Sequence, residues 1–437
     1  MQNLKGLKMN KLHKYPKYKN SGVEWIGEIP KHWEVRKLKY IFDYIQTGTT
    51  PSTDNVEFFQ GNINWYNPKD LNNEILKNSE KKISQFAIQK GEIKMFPQNS
   101  ILIVGIGATT GKTSYMISDG TFNQQITGFK SLKYNNKYLF YLMKSFSKLF
   151  LKIANYTTLP ILNNDFFKNF ILVIPPHDEQ IQIAEYLDKK TEKIDKLISI
   201  KEKLIKRLKE QRQIIINNAV TKGLNPNVKM KDSGIEWIGK IPEHWEVRRL
   251  KFLFKIRKKI ANSLGYDVLS ITQTGIKIKD INSGEGQLAM DYSKYQLIFK
   301  GDFAMNHMDL LTGYIDISKY NGVISPDYRV FTIKDNNCIP EYYLRLFQMC
   351  YHEKIFYAFG QGVSQFGRWR FPSNNFYNFF VPVPPYNEQI QIAKYLDKKT
   401  AQIDKAIKLQ EEQIKKLKEY KTTLIDSVVT GKVRIIK

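Results

Sequence analysis

A chain of 437 residues, 42% hydrophobic and 13% aromatic, is too long for one ordinary core and too apolar to be disordered. Its 68 lysines and arginines against 42 acids leave a formal net charge of +26. That favours a polyanionic partner, since each neutralised phosphate releases counterions. Two cysteines, Cys338 and Cys350, exclude a disulfide framework and a cysteine-built zinc site.

In chain order, residues 1–20 form a basic N-terminal segment with six lysines, no acid and no apolar centre, unlike a secretory signal. Residues 21–40 read SGVEWIGEIPKHWEVRKLKY. Within 41–174 the run 101–104 suits a buried strand closed by Gly105 and Gly107. Residues 138–153 have helical spacing through Leu139, Leu142, Met143, Phe146, Leu149 and Phe150. The longest apolar stretch, 101–108, falls far short of a membrane span, so a cytoplasmic location is expected.

After Pro175-Pro176 no proline or glycine interrupts 178–222, and a 3.5-residue stripe runs through Ile194, Leu197, Ile198, Lys201, Leu204, Ile205, Leu208 and Ile215. Such a stripe predicts a long helix with a coiled-coil seam, with Asp178 and Glu179 suiting its positive N-terminus and Gly223 its stop. Residues 233–252 then read SGIEWIGKIPEHWEVRRLKF, identical to 21–40 at 15 of 20 positions. The stretch from Pro384, PPYNEQIQIAKYLDKKTAQID, matches PPHDEQIQIAEYLDKKTEKID from Pro175 at 16 of 21. A second long helix is predicted over 387–430, with Ile403, Ile407, Gln410, Ile414, Leu417 and Leu424 in its stripe and Gly431 at its end. Its N-terminus carries Glu388. The counterpart of the 138–153 helix is 342–356.

The chain is therefore written twice. The inserts, 41–174 and 253–383, are 134 and 131 residues long but share no convincing run of identity. A shared frame around divergent inserts fits a frame that sets geometry while each insert reads something different. The expected partition is 1–20, a recognition domain at 21–175, a helix at 176–222, a second recognition domain at 223–384, a helix at 385–431 and a tail at 432–437. The expected class is α+β: two mixed, strand-rich domains joined by two long helices in an antiparallel coiled coil, related by a pseudo-twofold. Trp25, Trp33, Trp237 and Trp245, with His32 and His244, are expected in a shared core.

Three motifs suggest catalysis and fail. A phosphate-cradling loop ending at Gly111-Lys112-Thr113 would need glycine at 106, which is Ile106. Val383-Pro384-Pro385-Tyr386 resembles an adenine-methyltransferase signature, but Val383, like Ile174 in the first copy, cannot accept from an exocyclic amine. Asp70 with Glu92-Ile93-Lys94 has the loose form of a magnesium nuclease site and has no counterpart in the second insert.

The two repeated blocks, with Thr47-Gly48-Thr49-Thr50-Pro51-Ser52 and Phe122-Asn123-Gln124-Gln125-Ile126, resemble the specificity subunits of type I restriction–modification systems. The resemblance covers the whole chain, although the second insert lacks the Thr-Pro-Ser-like turn. It implies a non-catalytic subunit whose recognition domains each grip one half of a split, asymmetric DNA sequence. The helices would then fix the gap and dock two methyltransferase subunits. No cofactor is implied on this chain: S-adenosylmethionine, ATP and magnesium would come on methyltransferase and restriction subunits. A stand-alone metal-dependent nuclease and a coiled-coil scaffold that ignores DNA are the competing classes.

Candidate DNA contacts are the polar residues of loop-like stretches: Thr49, Ser52, Thr109, Thr110, Lys112, Gln124 and Gln125 in the first domain. In the second they are Arg257, Lys258, Gln273, Asn306, His307, Gln361, Gln365, Arg368 and Arg370. Arginine and carboxamides match guanine and adenine edges, and Lys and Thr suit phosphates.

Overall fold

The computed structural model describes residues 13–154, 161–281, 291–362 and 369–435. Its contacts divide it into two units, Met1–Lys201 with Glu412–Lys437, and Glu202–Glu411. Both long helices form, as His177–Lys222 and Tyr386–Val429, within a residue of the limits set by Pro-Pro and glycine. Each helix contributes to both units.

In the first unit, Glu34–Lys37 pairs antiparallel with Ile171–Ile174 at the foot of the domain. Above it, a five-stranded sheet runs in the order Tyr44–Thr47, Ile126–Lys130, Ser100–Val104, Thr113–Met116, Ile75–Leu76. A three-stranded sheet orders Thr121–Phe122, Ile63–Tyr66 and Lys81–Ile83. All five residues of Ser100–Val104 are buried, as its unbroken apolar run requires. The predicted 138–153 helix is two helices, Asn136–Ser145 and Ser147–Ala154, parted where Phe146 leaves helical geometry and packs edge-on against Phe170.

The second unit repeats this connectivity without repeating its sequence. Glu246–Arg249 pairs with Phe380–Val383. A sheet orders Phe254–Arg257, Arg329–Ile333, Phe303–Met305 and Ile315–Ile317, strand for strand the first four of the five-stranded sheet. A second sheet orders Gly275–Ile278, Val268–Thr272, Gly322–Ile324 and Gln296–Ile298. The expected 342–356 helix is Pro340–His352 and Ile355–Ala358, separated by Lys354 in left-handed geometry at φ 57°.

Within each unit the long helices run antiparallel. In the first, Lys421 Nζ bonds both carboxylate oxygens of Asp195 at 2.8 Å, and Lys201 reaches Gln413 at 2.5 Å. In the second, Arg212 Nε lies 3.2 Å from Asp404. The seam follows Ile194, Ile198, Lys201, Ile205 and Leu208, whereas Leu197 and Leu204, expected within the stripe, are exposed. A 3–4 alternation satisfies a narrow two-helix seam, so the extra apolar positions turn outward. Among the described residues no helix is long and apolar enough to cross a membrane.

The N-terminal segment is part of the first unit from His13 onward. Tyr15 is buried, Tyr18–Asn20 pairs with Glu28–Pro30, and Arg434 N donates to His13 O at 2.7 Å.

Candidate nucleic-acid interface

The repeated blocks build a joint in each unit. The glutamine of Pro-Pro-x-x-Glu-Gln is buried at 1% exposure in both copies. Gln180 donates to Pro175 O at 2.9 Å and accepts from Asn135 N at 3.0 Å, at the start of the Asn136–Ser145 helix. Gln389 donates to Pro384 O and Asn337 O and accepts from Ile339 N at 2.8 Å. A buried tyrosine completes each joint. Tyr138 OH shares its one proton between Val173 O and Val429 O, and Tyr342 OH between Val220 O and Pro382 O. Val429 and Val220 lie in last helical turns, where carbonyls lack intrahelical partners, so the hydroxyls satisfy orphan acceptors. The Pro-Pro stretches are thus helix-entry turns.

The shared core differs from its expected membership. Trp33 and Trp245 are fully buried, but Trp25 is 46% exposed and stacks on Phe170 at 5.6 Å, as half-buried Trp237 stacks on Phe379. The histidines sit at the rim because a helix-terminal carboxylate draws them there. His32 Nε2 lies 2.9 Å from Glu179, and His244 Nε2 lies 2.5 Å from Glu388. Glu179 also receives the Tyr15 hydroxyl, while Glu388 receives Trp245 Nε1 at 3.0 Å.

At the other end of the first domain the sheet gathers loops distant in sequence. Because neighbouring strands run antiparallel, Thr47, Val104, Thr113 and Ile126 all fall at one end. Thr49 N donates to Phe122 O at 3.0 Å, Thr50 Oγ1 bonds Gln124 Oε1, and Gly105 N donates to Gln125 O at 2.7 Å. Thr49, Ser52 and Gln124 are exposed there, and Thr109 and Gln125 half-buried. Ser52 Oγ accepts from Asp54 N, and Thr110 is buried with its hydroxyl on Gly107 O at 2.6 Å. Lys112 Nζ reaches Asn72 Oδ1 at 2.6 Å. Glycine is required at Gly48, where a Cβ would lie 2.1 Å from Phe122 O.

The 105–111 loop joins two antiparallel strands rather than running from a strand into a helix, so it lacks the strand-to-helix geometry that cradles a nucleotide phosphate. Beside it a cavity of about 380 Å³ is lined by Asn72, Lys112, Lys144, Ser147 and Lys148. Burial lowers the Lys144 pKa below its ordinary value, while its ion pair with Glu74 at 2.5 Å holds the charge. Burial pushes Glu74 upward, but Lys144 and Lys421 outweigh it and hold the carboxyl below its usual range. Asn72, Thr50 and Lys148 were missed in the sequence because only the topology brings them beside the chosen loops.

The same end of the second domain's sheet collects Arg257, Met305, Ile315 and Arg329. Arg257 is held by Asp302, 3.0 Å away, and lies over Phe299. Lys258 is exposed beside it. Gln273, in the turn between Val268–Thr272 and Gly275–Ile278, donates to Thr312 O. Asn306 Oδ1 accepts from Met308 N. His307 is half-buried, and burial, then the charges of Arg329, Arg370 and Lys258, push its pKa down to about 4. Gln361 and Arg370 exchange backbone hydrogen bonds of 2.7 and 2.9 Å, and Phe371 N donates to His307 O. Gln365 and Arg368 lie outside the described residues. Arg329 was not singled out in the sequence, being the polar first residue of an otherwise apolar strand.

The nuclease constellation has a structural use. Asp70 accepts from Asn67 N at 2.8 Å and Glu80 N at 3.1 Å, closing its own turn. Among the described residues no group of three His, Cys, Asp or Glu is placed to hold a metal ion.

A duplicated frame carrying two similarly folded domains agrees with comparison to known proteins. The model of the type I restriction modification DNA specificity domain matches twice, over residues 30–210 and 242–419. The chain belongs to that family. It is 25% identical over 430 residues to the type I restriction enzyme MjaVIII specificity subunit of Methanocaldococcus jannaschii, spanning 93% of this chain and 94% of that one. It is 30% identical over 247 residues to the same organism's MjaIX specificity subunit, a match spanning 53% of this chain and about half of that relative, 54%. The EcoR124I/EcoR124II specificity subunit of Escherichia coli is 30% identical over 183 residues, 39% of this chain and 42% of that subunit. The fold matches a chain solved in a study of complex assembly and conformational transition of the type I R-M system, with TM-score 0.67, 12% identity and coverage of 92% and 98%. It also matches the HsdS subunit from Thermoanaerobacter tengcongensis, with TM-score 0.52, 14% identity and coverage of 93% and 98%.

Proposed function

We propose that this type I specificity subunit reads a two-part, asymmetric DNA sequence, one part through each recognition domain, and has no catalytic centre of its own. One observation carries this: two domains with the same strand order present different side chains at the same sheet end. The first offers hydroxyls and carboxamides from Thr49, Thr50, Gln124 and Gln125. The second offers cations and amides from Lys258, Asn306, Gln361 and Arg370. Equivalent frames with unlike ends suit two different half-sites, and the +26 charge supplies the backbone attraction. The long helices set the gap between half-sites and dock two methyltransferase subunits carrying S-adenosylmethionine. Restriction subunits with ATP and magnesium join that core.

The test is to exchange residues 41–174 for the corresponding insert of another specificity subunit and map methylated sites genome-wide. One half of the recognised sequence should change and the other stay fixed. If both halves change together, or neither does, each domain does not read one half.

A further inference from the structure

We propose that Lys258, His307, Arg329 and Arg370 form a pre-built cradle for a backbone phosphate of duplex DNA at the end of the second domain's sheet. The proposal rests on the DNA-reading function above and assigns a chemistry to one part of that surface.

The sheet assembles the cradle. Arg329 pairs with Met305 on one side, and Val330 pairs with Arg257 on the other, which sets Lys258 beside Arg329 and Asn306-His307 at the opposite flank. The chain then returns through 369–371. Phe371 N donates to His307 O at 2.8 Å, and Arg329 Nη2 donates to Phe371 O at 2.7 Å. Arg370, next to Phe371, is fixed by its paired backbone bonds with Gln361. Three cations and a neutral imidazole thus come from four separate segments.

The unusual member is Arg329. It is 95% buried by its 5% exposure, packs its guanidinium over Phe376 and Phe371, and leaves Nη1 without a hydrogen-bond partner. The buried Nδ1 of His307 is also unpartnered. Among the described residues no ion pair holds any of the four, and the groups that favour the charged form of Arg329 are Tyr351 and Tyr377 rather than carboxylates. A buried guanidinium without a counter-charge is costly, and a natural fold usually supplies one. Here the missing partner is an anion, which the exposed Lys258 and Arg370 are placed to admit. Burial holds the Arg329 pKa down to about 10, so it stays ionised at neutral pH. At the matching register of the first domain stands Ile126, paired with Val104, so no cation occupies that position.

Phosphate contact and base contact leave different signatures, because only the first removes counterions on every sequence. The full-length chain is therefore titrated with a labelled 30-base-pair duplex lacking the target and with one containing it, across a salt series. Arg329→Met should keep the fold and thermal midpoint, lose roughly tenfold in affinity for both duplexes, and lower the log–log salt slope by about 1. Lys258→Ala/Arg370→Ala, both exposed, should lower it by about 2 whether or not the methionine variant folds. Lys334→Ala, just past the opposite end of the Arg329–Ile333 strand, should change nothing. Wild-type slopes in the folded variants would overturn the cradle. Weakening on the target duplex alone, with unchanged slope, would replace the phosphate by a base edge and overturn the assignment. If the wild-type chain binds neither duplex, the DNA-reading function falls and the cradle with it.

Discussion

Replacing Gln180 or Gln389 by leucine tests whether the repeated Pro-Pro-x-x-Glu-Gln stretch is a structural clamp. Leucine keeps nearly the same volume and suits a helix, so the change removes hydrogen bonds and little else. Gln180→Leu strands one N–H, from Asn135, and one C=O, from Pro175, at a site 1% exposed. Buried groups left unpaired cost about 1–3 kcal/mol each, so the first unit should lose about 2–6 kcal/mol. Gln389→Leu strands Ile339 N and the carbonyls of Pro384 and Asn337, and should cost the second unit about 3–9 kcal/mol. Hydrogen exchange at graded urea, read by mass spectrometry, separates the two. The first variant should lose protection across Asn136–Ser145 and the second across Pro340–His352. Gln389→Glu, which sets a buried carboxylate against the Pro384 and Asn337 carbonyls, should cost at least as much as leucine at neutral pH. Losses below about 0.5 kcal/mol for both leucine variants, within the range of ordinary surface changes, would refute the clamp.

Further outcomes follow from the same geometry. Gly431→Ala should lower the thermal midpoint more than Gly223→Ala: both glycines have positive φ, 75° and 76°, but a Cβ at 431 would lie 2.4 Å from Pro30 Cδ and at 223 only 3.1 Å from Trp245. The shared backbone strain is about 1–3 kcal/mol, and the Pro30 clash adds to it. The His307 pKa of about 4 lies below its ordinary value near 6.5, so the unfolded chain binds the proton first. That contribution to stability is complete above pH 6.5 and is lost as pH falls toward 4; His307→Gln should flatten the wild-type loss across this window in urea titrations. Inserting one heptad into both long helices adds about 10 Å to each and should lengthen the tolerated gap by about three base pairs while leaving both half-sites unchanged, as read by methylation mapping. An unchanged gap would show that the helices do not set it.

What could be seen in the sequence was what local sterics and repetition decide. Pro-Pro and a following glycine bound a helix by backbone geometry alone, so the two long helices begin and end where punctuation places them. The kinship of the inserts was invisible because strand order is enforced by burial patterns that many sequences satisfy. Ser100–Val104 and Phe303–Met305 occupy equivalent positions with no residue run in common. Partners across the chain were hidden for the same reason. His32 and His244 were assigned to the core with their neighbouring tryptophans, but Glu179 and Glu388, over a hundred residues away, hold them at the rim. Arg329 escaped notice because a basic residue opening an apolar strand reads as an exposed end, whereas the returning segment at Phe371 buries it.

The different fates of frame and insert follow from how many fixed partners each residue has. In the first unit Gly431 touches Pro30 and Trp33, Tyr138 ties strand 171–174 to the helix end at Val429, and Gln180 ties that strand's exit to Asn135. In the second, Gly223, Pro242, Trp245, Tyr342, Val220 and Gln389 make the corresponding set. A change at any one strands a buried donor, an acceptor or a close contact supplied by another, so the members resist substitution together. The exposed side chains of the sheet-end loops bear no such constraint. Thr50 and Gln124, or Gln273 and the 312 carbonyl, bond at exposed positions where either partner can be exchanged for water at little cost. Selection on what the loops touch can therefore alter them freely while the joint that aims them stays fixed. The boundaries at 40–41 and 252–253 fall just before the first strands of the sheets that carry the reading loops, Tyr44–Thr47 and Phe254–Arg257, while Tyr138 and Tyr342 carry the joint into each insert.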